Sequence, residues 1–234
     1  MTEPTDAPAD VWSFGLDDTA DGLGAALALS LPPGDPAGWL DDDERARAAS
    51  ALDATVRHRL LLSRVALRLV VGRALGRHPR DVRLGREPCP RCGGPHGRPV
   101  VVDGGDLHLS LSRSGGEALV ALRRGLPVGV DVEQHVAGPR PLPGRPAGRG
   151  VVDDLPRWVR VEAALKATGE GLARDPDGVL LRSAGDGVAT AAEGTAVAVD
   201  VLDLPLGPRL AAAVAGVGLA AAGARVHLPV TDAT

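Results

Sequence analysis

Apolar residues alternate with polar ones in the stretch LHLSLSRSGGEALVALRRGLPVGVDVEQ (Leu107–Gln134), from which the architecture of this chain can be inferred. Leucines recur at every second position from Leu107 to Leu111, and a turn at Ser114–Gly116 leads into a second apolar run, Ala118–Leu122. Alternating apolar residues on either side of a short Gly-containing turn predict an antiparallel β-hairpin. A third strand, PVGVDVE, follows at once, so the stretch predicts three strands in a row.

Helical patterns lie on both sides of these strands. Upstream, a helix is predicted from the acidic segment Asp41–Glu44 to Gly76, with leucines and valines on one face and arginines carrying the charge. Downstream, Leu155–Thr168 predicts a second helix, which Gly169 and Gly171 end. The remaining sequence again indicates a strand, a turn and a strand.

The two halves of the chain therefore share one order of elements, a helix followed by antiparallel strands. This order predicts an α+β fold of two pseudo-symmetric α+β subdomains packed around a cleft. We expect residues 1–125 to form the N-terminal subdomain and residues 126–234 the C-terminal one. Residues 138–150 are dominated by Pro, Gly and Arg and predict a mobile loop.

Composition narrows the possible functions. The chain has 234 residues and a formal net charge of −4, which gives no general attraction to nucleic acid or to an anionic membrane. No early basic segment leads into a long apolar run, so we expect no signal peptide, no membrane span and a cytoplasmic location. Lys166 is the only lysine among the 26 basic Lys and Arg residues.

Two acidic residues follow each other on the third predicted strand. Asp131 and Glu133 are two positions apart, so their carboxylates project from the same face, while Val130 and Val132 face the core. A pair of oxygen ligands without a neighbouring His or Cys suits a hard ion such as Mg²⁺. The alternative is a strand edge that carries two solvated acids.

The second predicted helix carries a further charged pair. Glu162 and Lys166 are four residues apart in the order that favours pairing, and such pairs usually lie on the surface. Lys166, however, is the only lysine and lies just before the glycines that end the helix. A compact ammonium on a flexible stem suits a phosphoryl oxygen, and a nearby carboxylate can accept a hydroxyl proton.

The segments VGVDVE and WVRVEAALKATGEGL together resemble the two signature motifs of the 4′-phosphopantetheinyl transferases, in particular the two-half type that acts on carrier proteins of secondary metabolism. The likeness extends over most of the chain. The Arg-rich first helix, the loop PCPRCGGPHGRPVV, the hairpin LHLSLSRSGGEALVAL and the closing strands VDVLDLPLGPRLAAAVA are similar to the family's segments in the same order.

This resemblance implies a set of site residues and a reaction. Asp131 and Glu133 would be Mg²⁺ ligands, and Glu162 would complete the metal site or act as the base. The implied contacts to coenzyme A are Lys166 with the pyrophosphate, and Arg47, Arg59, Arg98, Ser112 and Arg113 with the nucleotide's phosphates and adenine. The N-terminal half would mostly hold the nucleotide. A serine hydroxyl of an acyl or peptidyl carrier protein would attack the β-phosphate, releasing 3′,5′-ADP, and a monomer is expected.

Three features depart from the family's pattern. Arg113 stands where the family usually has His, and Val161 stands where it often has Lys. The interval between Glu133 and Trp158 is short, and Asp153 and Asp154 are the acids available in it. These departures define an alternative: a degenerate homologue that binds coenzyme A or a carrier protein without catalysing transfer.

The loop before the hairpin contains Cys89 and Cys92, followed by His96. This spacing resembles part of a zinc site, but a closed site needs four ligands, which His78 or His108 could complete. We expect instead a Gly- and Pro-rich loop near the nucleotide. A small zinc-loop interaction protein, with the acidic strand as surface, is a third hypothesis.

Overall fold

The structure is a computed structural model that describes residues 7–17, 35–136, 154–183, 188–193 and 195–228. The first sheet contains β1 (Ala9–Gly15), β4 (Leu107–Ser114), β5 (Glu117–Arg124) and β11 (Ala224–His227), in the order β11-β1-β5-β4. The second contains β6 (Gly129–Gln134), β7 (Leu180–Ser183), β8 (Val188–Glu193), β9 (Val199–Asp203) and β10 (Leu210–Gly216), in the order β6-β10-β9-β8-β7. A small hairpin pairs β2 (Leu84–Arg86) with β3 (Pro99–Val101).

The helices are α1 (Asp42–Ala49), α2 (Ala54–Leu75), α3 (Leu155–Thr168) and the short α4 (Leu219–Ala222). Single 3-10 turns lie at Pro36–Trp39, Pro79–Asp81, Gly171–Ala173 and Pro176–Gly178. The α+β class expected from the sequence is confirmed. None of the helices in the described ranges is long and apolar enough to cross a membrane.

The hairpin, the third strand and the downstream helix were predicted correctly. The upstream segment differs, because the single helix expected from Asp41 to Gly76 is two helices. Ser50 caps the end of α1, and the Asp53 side chain accepts a hydrogen bond from the Val56 amide at 2.9 Å to begin α2. Side-chain oxygens that satisfy the free amides of a helix start compete with a continuous helix at such positions.

Three apolar clusters hold the elements together. The first joins α2 to one face of the first sheet, and the second joins α3 to one face of the second sheet. The third is formed by side chains from β1, β5, β6 and β10, including Val11, Leu119, Val130 and Val214. Each long helix therefore covers a sheet. The chain passes from one sheet to the other between Arg124 and Gly129, and β11 returns to the first sheet, parallel to β1.

The edge strands of the two sheets lie beside each other, and serine hydroxyls connect them. The oxygens of Ser110, Ser112 and Ser114 on β4 accept hydrogen bonds from three backbone amides of β6, those of Val130, Val132 and Gln134, at 3.1, 3.3 and 3.1 Å. An edge strand presents unpaired amides that need partners when buried. We call this row of serines the serine ladder; it positions the site described next.

Candidate active site

Both acids of β6 point toward the serine ladder. The Ser112 hydroxyl donates to Asp131 Oδ1 at 2.6 Å, and the Ser114 hydroxyl donates to Glu133 Oε2 at 2.5 Å. Asp131 is buried, with 3% of its surface exposed, while Glu133 is partly exposed. Asp131 therefore does not belong to a solvated strand edge, which was the alternative from the sequence.

Lys166 joins helix α3 to this strand. Its Nζ lies 2.5 Å from Asp131 Oδ1 and 3.1 Å from Ser112 Oγ, and it also donates to the Val130 carbonyl at 3.2 Å. Glu162 Oε2 is 3.8 Å away, one turn earlier on the helix. The only lysine of the sequence thus lies among carboxylates from two separate segments instead of in a surface ion pair.

Glu162 is strongly perturbed by this environment. Its side chain is 15% exposed, and its pKa is raised from 4.5 to about 7, mainly by burial. The negative charges of Asp131 and Glu133 contribute to this raised pKa, and the positive charge of Lys166 opposes them. A carboxyl group that titrates near neutral pH can both accept and release a proton under physiological conditions.

Gly129 allows α3 to approach the strand closely enough for these contacts. A Cβ atom at Gly129 would lie 2.0 Å from the Ala163 carbonyl oxygen and 2.4 Å from the Ala167 amide nitrogen. It would also lie 3.0 Å from Lys166 Cβ. Any larger residue would therefore push the helix, and Lys166 with it, away from Asp131.

The acids have a donor set that fits Mg²⁺. Asp131 Oδ2 is buried and has no hydrogen-bond partner among the described residues, so it can serve as a metal ligand. Mg²⁺ usually takes one or two protein carboxylates and completes its shell with water and phosphate oxygens. Asp131 and Glu133 meet this requirement. The oxygens of Asp131, Glu133 and Glu162, however, do not all lie within 4.8 Å of one another. In the described ranges, the only group of three possible ligands that meets this distance is Cys89, Cys92 and His96.

Arg98, which directly precedes β3, contacts the C-terminal end of helix α3. It donates to the Ala167 carbonyl at 3.0 Å and pairs with Glu87 at 2.6 Å. Arg98 and Lys166 both line a cavity of about 460 Å³, whose wall is otherwise formed mainly by the β2–β3 loop, β4 and the end of α3. Arg91 also lines this cavity, which therefore presents three cations, and one of them, Lys166, contacts Asp131.

A second, more polar pocket of about 280 Å³ is lined by three arginines, Arg47, Arg64 and Arg86, and by three acids, Asp41, Asp43 and Glu44. Burial lowers the pKa of Arg64, the charge of Glu44 raises it, and the charges of Arg86, Arg47 and Arg113 lower it. Partial burial and the charge of Arg47 also lower the pKa of both Arg86 and Arg113. Guanidinium groups that repel one another in this way favour the binding of an anion between them. We call Arg47, Arg64, Arg86 and Arg113 the arginine cluster.

Sequence reasoning missed Arg64 and Arg86. Nothing in the helical pattern distinguishes Arg64 from Arg68, which is buried in ion pairs with Asp41 at 2.9 Å and Glu44 at 2.7 Å. Arg86 lies on the short strand β2, where no periodicity indicates its direction.

Two other residues considered in the sequence analysis, Arg59 and Asp154, form hydrogen bonds within the chain. Arg59 binds both carboxylate oxygens of Asp17, at 2.7 and 2.9 Å. Asp154 caps α3 by accepting a hydrogen bond from the Arg157 amide at 3.0 Å. Asp153 and the loop predicted at 138–150 lie outside the described residues.

Comparison of the chain with protein-family models gave no match, and comparison with curated proteins gave none either.

Proposed function

We propose that this protein transfers 4′-phosphopantetheine from coenzyme A to a serine of an acyl or peptidyl carrier protein in a Mg²⁺-dependent reaction. The observation that carries the proposal is the contact of Lys166 with Asp131, next to Glu162 with its pKa near 7. An ammonium, metal-ligating carboxylates and a near-neutral base are the groups that phosphoryl transfer from a pyrophosphate to a hydroxyl needs.

The distribution of cations supports coenzyme A as the donor. Coenzyme A carries negative charge at two places, the pyrophosphate and the 3′-phosphate of the ribose. The cavity that contains Lys166 and Arg98 and the pocket of the arginine cluster both border Pro99. One extended ligand can therefore place its pyrophosphate near Lys166 and its 3′-phosphate near the arginine cluster, to which Arg113 of β4 belongs. Ser112, whose hydroxyl accepts a hydrogen bond from Lys166 at 3.1 Å, would lie at the pyrophosphate end.

In the proposed reaction, Glu162 accepts the proton of the carrier serine hydroxyl. The serine oxygen forms a bond to the β-phosphorus, and the bond from that phosphorus to the oxygen bridging the two phosphates breaks, so that 3′,5′-ADP leaves. Lys166 offsets negative charge on the phosphate oxygens. When bound at Asp131 and Glu133, Mg²⁺ supplies further positive charge to the same oxygens. The serine ladder holds both carboxylates in place, since Ser112 and Ser114 donate to them.

The proposal includes the finer architecture and setting implied by the resemblance. A long helix from each half covers a mainly antiparallel sheet, the exception being β11, which pairs parallel with β1, and this supports two pseudo-symmetric subdomains of the phosphopantetheinyl transferase type. We expect a monomer, because one chain would already supply both halves of the site, and we expect it in the cytoplasm. The partner is an acidic carrier protein, which the local arginines would attract.

The direct test is intact-mass spectrometry of an apo carrier protein incubated with the full chain, coenzyme A and Mg²⁺. We expect the carrier to gain the mass of one phosphopantetheine, and the gain to disappear with EDTA or when the acceptor serine is replaced by Ala. Coenzyme A binding without any mass gain, across several carrier types, would contradict the enzyme and support the non-catalytic homologue.

A further inference from the structure

The β2–β3 loop brings three metal-binding side chains together. The ligand atoms of Cys89, Cys92 and His96 all lie within 4.8 Å of one another, and Cys92 Sγ is 3.1 Å from His96 Nε2. Tetrahedral zinc, with bonds of about 2.3 Å to sulfur and about 2.0 Å to nitrogen, separates neighbouring ligand atoms by about 3.6 to 3.8 Å. The observed spacing needs only small side-chain movements to reach that geometry.

The backbone of the loop is folded around the first cysteine. The Gly93 amide donates to the Cys89 carbonyl at 2.8 Å, and the Cys89 amide donates to the Gly94 carbonyl at 2.7 Å. The backbone amides of Arg91 and Cys92 lower the pKa of the Cys89 thiol, which favours the thiolate that a metal binds. Gly93 has φ +73°, a conformation that favours glycine at this turn.

We propose that Cys89, Cys92 and His96 bind one Zn²⁺ and that a water from the adjoining cavity takes the fourth position. Two thiolates and an imidazole suit zinc better than a hard ion such as Mg²⁺. The same three side chains line the cavity of about 460 Å³, so a fourth ligand has access from there. His78 and His108 lie outside the cluster, contrary to their possible role as fourth ligand.

The zinc site would fix the position of Arg98. The loop begins and ends in paired residues: the Glu87 amide donates to the Arg98 carbonyl at 2.9 Å, and the Gly97 amide donates to the Glu87 carbonyl at 3.0 Å. Because Arg98 also contacts the end of α3, tying the loop together at its cysteines would stiffen one wall of the cavity. This binding step involves no oxidation: the metal displaces the thiol protons of both cysteines and leaves their charge on sulfur.

The first test is metal content of the full, untagged chain, purified under reducing conditions and dialysed against trace zinc. We expect one zinc per chain. In protein stripped of zinc, Co²⁺ should give the thiolate-to-metal absorption and the intense visible bands of a tetrahedral site. A fully reduced wild-type protein that takes up neither Zn²⁺ nor Co²⁺ would overturn the proposal.

Variants locate the metal. Cys92→Ser and His96→Ala should each lose stoichiometric zinc, and because both residues are exposed the variants should still fold. His108→Ala is the matched control and should retain one zinc; loss of zinc in this control would overturn the assigned ligand set. In the wild type, removing zinc should speed amide exchange at Glu87 and Gly97 and leave β10 unchanged. Equal exchange with and without zinc would remove the role in positioning Arg98. These readouts do not depend on transferase activity.

Discussion

Replacing Glu162 by Gln should make the protein more stable at pH 8, although it removes a partner of Lys166. Burial raises the pKa of Glu162 from 4.5 to about 7, so the folded protein holds a proton there that the unfolded chain has already released. Stability is therefore fully present below about pH 4.5 and is lost as the pH rises through 7. At about 1.4 kcal/mol per factor of ten in the proton equilibrium, this loss is about 3 kcal/mol.

Glutamine stays neutral at every pH and mimics the protonated acid, so the variant should escape that loss. The assay is urea unfolding of wild type and Glu162→Gln in EDTA at pH 4 and pH 8. The stability difference between the two proteins should change by about 3 kcal/mol in favour of the variant between these pH values. Glu170→Gln is the control: this carboxylate accepts hydrogen bonds from Thr168 and from the Ala196 amide, so its loss should not stabilise the protein at pH 8. A stability difference between Glu162→Gln and wild type that is the same at both pH values would show that folding does not raise the pKa of Glu162.

Three further predictions follow from the packing and the charges. Gly129→Ala should destabilise the protein by about 1 to 3 kcal/mol in urea unfolding, because the added methyl overlaps the backbone of α3. The control Gly178→Ala should not destabilise it in this way, because nothing lies within 4 Å of the added Cβ. Equal effects of the two substitutions would contradict the close approach of α3 to Gly129. Arg47→Ala should weaken coenzyme A binding by at least about tenfold in low-salt calorimetry. Arg45→Ala, on the same helix, should leave the affinity unchanged. An equal loss of affinity in both variants would argue against the arginine cluster as the nucleotide site. Lys166→Met should abolish transfer and lower the free energy of unfolding by about 3 kcal/mol, because it leaves the buried carboxylate of Asp131 without its cation. A Lys166→Met protein that is as stable and active as wild type would exclude Lys166 from the reaction.

The sequence predicted those parts of the fold that depend on local patterns. Alternation in β4 and β5, and the glycine that ends α3, gave these elements with nearly the observed bounds. Spacing alone also put both acids of β6 on one face. By contrast, the break between α1 and α2 depends on Asp53, whose side chain caps the start of α2. The pattern of apolar residues does not reveal that this cap competes with a continuous helix.

What the sequence could not provide are contacts between distant segments. The serine ladder joins residues 20 positions apart across two sheets, and the alternating serines of β4 were visible only as the polar side of a strand. The partners of the arginines were equally hidden: Arg59 pairs with Asp17, whereas Arg64 joins the arginine cluster. Every arginine has the same long side chain, so its role is set by the tertiary neighbours that each position meets.

Wild type and Glu162→Gln should be compared on the same preparations for two quantities, the mass gain of an apo carrier protein and the affinity for coenzyme A. The variant should bind coenzyme A at least as well as wild type, since a negative charge near the phosphates is gone, and it should transfer no phosphopantetheine. Transfer at the wild-type rate by Glu162→Gln would exclude Glu162 as the base, because proton removal from the serine would then not require this carboxylate.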